Sequence, residues 1–131
     1  MKKSELSLKQ RFDYQQAYLL TREAIVDSIG KLTDRNLEDT TPRAERLKNR
    51  EKILDHEKQK ALLDARRAAF DANQAEITPP TDAQLDRLQA LVAAVEQLNI
   101  NQKIFDEVLA LTKESLGTFN EIHPVSDLQP A

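Results

Sequence analysis

The sequence predicts an all-α protein, an antiparallel up-down-up bundle of three long helices with short loops and an irregular C-terminal tail. Three observations lead there. Of 131 residues only two are glycine, none is tryptophan and 5 % are aromatic, a composition that suits long helices and not sheets. Apolar residues recur three and four apart over long stretches. Obvious helix breakers stand at only two internal places, around Pro42 and at Pro79–Pro80, which leaves three segments of similar length.

The first helix is expected over about 7–38. Ser7 and Gln10 have the spacing of a capping box, and EDTTP ends the segment. Its apolar stripe reads Phe12, Tyr18, Leu19, Ile25, Val26, Ile29 and Leu32, with Gln15 and Arg22 falling on it. The second helix is expected over 42–76, with Thr41 as its N-cap and Pro42 at the first helical position, where a missing N–H costs nothing. Its stripe is small: Leu47, Leu54, Ala61, Ala65, Ala68 and Ala72. The third is expected over 81–122, opened by a second capping box, Thr81 with Gln84. Its two adjacent apolar stripes mark it as the central core helix. One domain over 1–122 and a flexible tail over 123–131 complete the organisation.

Short connections between long helices set the register of antiparallel neighbours. That register brings Arg22, Asp55, Lys58, Asn99 and Gln102 to one level. They form an expected central polar layer, interrupting the third helix at VEQLNINQKIF. Such a layer fixes helix alignment, as a buried asparagine does in coiled coils. The alternative is a small polar pocket in which Arg22 grips an anion and Asp55 or His56 acts as base or ligand.

Composition excludes several chemistries. The chain has no cysteine, so disulfides, thiolate catalysis and cysteine-based metal sites are absent. His56 lies in DHEK and His123 in EIHP, neither part of HExxH or of a Glu-x-x-His pair. There is no Gly-x-Ser-x-Gly and no glycine-rich phosphate loop. The expectation is therefore no enzyme, no cofactor and no metal. No apolar run reaches membrane-spanning length and none follows the N-terminal lysines, which makes a cytoplasmic location the expectation.

A leftover row on the second helix, Ile53, Leu63, Phe70 and Ile77, lies beside the alanine stripe. A helix with apolar rows on two sides packs on two sides. These four, rimmed by Arg66 and Arg67, are the expected anchors for a partner protein or a second copy, unless the bundle rotates and buries them itself. The rival reading is nucleic-acid binding through Arg43, Arg46, Arg50 and Lys58. Residues 43–67 hold nine basic and five acidic side chains, although the net charge is −3.

Overall fold

The computed structural model describes residues 1–125. They form a short 3-10 turn, Lys3–Glu5, and four helices: α1 Leu8–Leu37, α2 Arg43–Asp71, α3 Asp82–Glu96 and α4 Phe105–Ile122. No strand occurs among the described residues. The all-helical expectation holds; the count of three does not. Both expected capping boxes form, Ser7 with Gln10 and Thr81 with Gln84. At the second helix Pro42 is itself the N-cap. The Thr41 hydroxyl donates instead to the Arg35 carbonyl at the end of α1.

The expected third helix is two. The stretch over 97–104 that reads as a polar interruption of the stripe is a turn. Asn99 Oδ1 accepts from the Asn101 amide at 2.9 Å, the local side-chain bond by which asparagine draws backbone away from helix. α4 then restarts with Asp106 and Glu107 in its first turn, where the helix dipole favours carboxylates. Two α1 cations hold the turn in place. Lys31 Nζ donates to the Glu96 and Leu98 carbonyls at 2.8 and 2.9 Å, and Arg35 Nη1 to that of Ile100 at 3.3 Å. α2 also stops earlier than expected. Asn73 takes φ 60°, and the Gln74 amide reaches back to the Ala69 carbonyl, a left-handed C-terminal cap that asparagine tolerates.

Hydrogen bonds between distant segments of the chain fix the directions. Tyr18 stands level with Asp64 and Arg35 with Glu45, so α1 and α2 are antiparallel. Thr78 bonds the Ile122 carbonyl, which folds α4 back along α3. α1 packs against each of the other three helices and is the central one, in place of the expected third helix. Its buried row is Tyr14, Ala17, Tyr18, Thr21, Ala24, Ile25, Ser28, Leu32 and Arg35. The buried hydroxyls of Thr21 and Ser28 are satisfied by the carbonyls of Ala17 and Ala24, one turn back.

The apolar core falls into two clusters. The larger joins Tyr14, Tyr18, Ile25, Leu63, Phe70, Leu88, Phe119 and Ile122; the smaller is Leu32, Ile104 and Val108. Tyr14 stacks on Phe70 with ring centroids 3.8 Å apart, and its hydroxyl lies 2.7 Å from His123 Nδ1. His123 is buried, so the expected flexible tail does not begin there; residues 126–131 of that tail lie outside the described residues. Arg35 and Glu45 pair at 2.7 Å, both buried, which holds the Glu45 carboxyl below its ordinary 4.5.

His56 takes the place of an aliphatic side chain on the inner face of α2. It is 2 % exposed. Its Nδ1 lies 2.9 Å from the Lys52 carbonyl, which can only accept, so Nδ1 carries the proton. Burial holds the ring below its ordinary pKa of 6.5, against the raising effects of that hydrogen bond and of Asp55. Unfolded chains therefore bind this proton more tightly than folded ones, and stability falls as pH drops below about 6.5. Thermal midpoints should decline between about pH 7.5 and 5.5, and His56→Leu should flatten that slope without lowering the midpoint at neutral pH. Glu45 acts in a separate window. Its contribution is present above about pH 4.5 and is lost as pH falls through the depressed folded value.

Candidate functional site

On α2 the two apolar rows have exchanged places relative to expectation. Leu63 and Phe70 of α2, and Ile77 beyond its end, are buried in the large cluster, and Ile53 packs, half-buried, against the small one. Arg66 is 2 % exposed, 5.0 Å from the Phe119 ring centroid, with Nη1 donating to Asn120 Oδ1 and the His123 carbonyl. Arg67 pairs with Asp71 at 3.0 Å and lies over Tyr18. The expected anchors are thus core residues. The physical reason is volume: large side chains gain most from burial, and the alanine row, which could have served for close approach, gains least.

The central polar layer does not form. Arg22 pairs with Asp64 at 3.1 Å and Asp55 with Lys52 at 3.0 Å, while Lys58, Asn99 and Gln102 are exposed, the last two in the α3–α4 turn. Its premise was a continuous third helix, and the turn removes it. Arg43, Arg46, Arg50 and Lys58 are all exposed on α2.

What remains outside is a long apolar face. On α1, Leu8, Phe12, Leu19 and Val26 are exposed, Leu8 by 83 % and Phe12 by 60 %. At about 100° per residue they fall in a strip about 40° wide. On α2, Leu47 and Leu54 are 54 % and 58 % exposed, and Ala61, Ala65, Ala68 and Ala72 continue the row. The two strips flank one seam. On α1 the side towards α2 runs through Tyr18 and Arg22, that towards α3 through Lys31, and the strip lies beyond the α2 side. On α2 the side towards α1 runs through Asp64, that towards α4 through Arg66, and the strip lies beyond the α1 side. Together they make one flank of the α1–α2 hairpin, turned away from α3 and α4. A hollow of about 570 Å³ lined by Leu8, Phe12, Arg67 and Asp71 closes one end of it.

The alanine row is legible in the sequence but expected inside, and Phe12, Leu19 and Val26 are expected on the core stripe of α1; all of these are exposed. The signal for the true inner row was the heptad through Tyr14, Thr21, Ser28 and Arg35, obscured by its polar members. No described helix is long and apolar enough to cross a membrane. Comparison with family models, with curated proteins and with solved structures found no match to this chain.

Proposed function

We propose that the chain is a non-enzymatic interaction module that pairs with a second copy of itself through the outer flank of the α1–α2 hairpin. The observation that carries this reading is the double apolar strip, larger than the scattered single side chains usual on a monomer. Its shape favours a copy over an unrelated partner. In the α1–α2 register, Phe12 stands level with Ala68 and Ala72, Leu19 with Ala61 and Ala65, and Val26 with Leu54. A two-fold axis parallel to the helices lays α1 of one copy over α2 of the other at these same heights, large side chains against small. Charge agrees with that stacking. Glu23 and Asp27 bring their carboxylates together with that of Glu96 within 4.8 Å, and Lys58, level with them across the interface, makes no ion pair among the described residues.

Analytical ultracentrifugation at micromolar concentration should show twice the chain mass. Leu19→Glu with Ala65→Glu should return the monomer with unchanged helix content, because both sites are exposed. A wild-type monomer across that range would defeat the proposal. Nucleic-acid binding through Arg43, Arg46, Arg50 and Lys58 predicts instead a salt-sensitive mobility shift that Arg46→Glu with Arg50→Glu abolishes.

A further inference from the structure

A groove of about 450 Å³ enters the core between α2 and α4, on the opposite side of α2 from the pairing face. Lys52, Asp55, His56 and Gln59 line one wall, and Leu109, Thr112, Lys113, Leu116, Gly117 and Asn120 the other, with Ile25 of α1 between them. Its size lies within the range of small-molecule sites. One feature marks it as built, and that is His56. With Nδ1 committed to the Lys52 carbonyl, Nε2 presents a lone pair, and that buried atom has no hydrogen-bond partner. A buried acceptor left unmet is costly, and most are satisfied. Gly117 borders the groove at an exposed position of α4, and a Cβ built there meets nothing within 4 Å.

We propose that this groove binds a small organic anion carrying a hydroxyl or N–H group, which donates to His56 Nε2. Leu109 and Leu116 supply the apolar surface for its body, over the buried Ile25. Lys113 has no ion pair among the described residues, and with Lys52 it outweighs the single carboxylate of Asp55, so the lining carries net positive charge for the anionic group. Lys52, Gln59 and Lys113 are long, jointed side chains that can swing aside to admit the donor to the ring. Thr112 does not compete for it, because its hydroxyl is engaged by the Val108 carbonyl.

The test uses the full chain and 4-hydroxybenzoate as probe, with benzoate lacking the donor and p-cresol lacking the charge. Imidazole nitrogen shifts of His56 are followed by NMR up to about 10 mM ligand, enough to saturate a site with Kd about 1 mM. Expected is a saturable shift of Nε2 with 4-hydroxybenzoate and at least tenfold weaker binding of each analogue. Gly117→Leu, which places a large side chain at the groove wall and substitutes a better helix former, should abolish the shift while thermal unfolding stays at or above wild type. No saturable shift with any of the three compounds overturns the proposal. So does undiminished binding by Gly117→Leu, or equal binding of benzoate. The pairing face is untouched by these variants, so failure here leaves self-association standing.

Discussion

Leu63→Ala is expected to lower the unfolding free energy by about 3 kcal/mol, whereas Leu54→Ala on the same helix should change it by less than about 0.5 kcal/mol. Leu63 is fully buried among the side chains of the larger cluster, and its truncation leaves a cavity that the surrounding helices close only in part. Leu54 is 58 % exposed, so its methyls are largely in water before and after unfolding. Urea titrations at low protein concentration measure both, and an unchanged slope would assign the shift in midpoint to stability. Low concentration matters because Leu54 belongs to the proposed pairing face, and association would add its own stabilisation. Equal losses at the two sites would mean that α2 is rotated from the orientation described here.

Tyr14→Ala should cost more still, about 4 kcal/mol. Tyr14 is fully buried, stacked on Phe70 and 5.9 Å from the Phe119 ring centroid, so it joins α1, α2 and α4 at one point. Its hydroxyl, beside His123, has its pKa pushed up chiefly by burial. Tyr14→Phe keeps the stacking and removes one hydrogen bond, a loss of about 1 kcal/mol. The ratio of the two variants, again by urea titration, separates ring packing from the polar bond. A Phe variant as damaged as the Ala variant would place the stabilisation in the His123 contact.

Helix starts were legible in the sequence because they depend on local chemistry. Ser7 with Gln10 and Thr81 with Gln84 cap where their spacing says they should. Helix stops were legible only where proline stands. Asn73 and the Asn99–Asn101 pair end helices by side-chain bonding and left-handed backbone, which propensity alone does not separate from a polar helical face. The larger difficulty was facial. On α1, Thr21 and Ser28 enter the core with their hydroxyls already satisfied, and Arg35 enters with Glu45. Polar letters thus occupy inner positions while Phe12, Leu19 and Val26 stand outside. Single-helix periodicity cannot choose between two such rows; the choice depends on which neighbour exists, and the α3–α4 turn changed the neighbours. The same turn removed the polar layer, and with it the proposed alignment role of Asn99 and Gln102. Of the groove, the sequence showed His56 and Gly117 only as isolated letters, since nothing local says that α2 and α4 part between them.

The α3–α4 turn has one more consequence, for assembly by exchange. Residues 97–104 contain neither glycine nor proline, so no residue in the turn forbids helix through it. The bend is maintained by Asn99 and by the grip of Lys31 and Arg35 on three carbonyls. A chain straightened there would carry α4 away from its own α1 and lay it on the vacant α1 of a neighbour, the arrangement of a domain-swapped dimer. Such an exchange would remake between copies the contacts that α4 makes within one chain, and the change of backbone would be confined to the hinge.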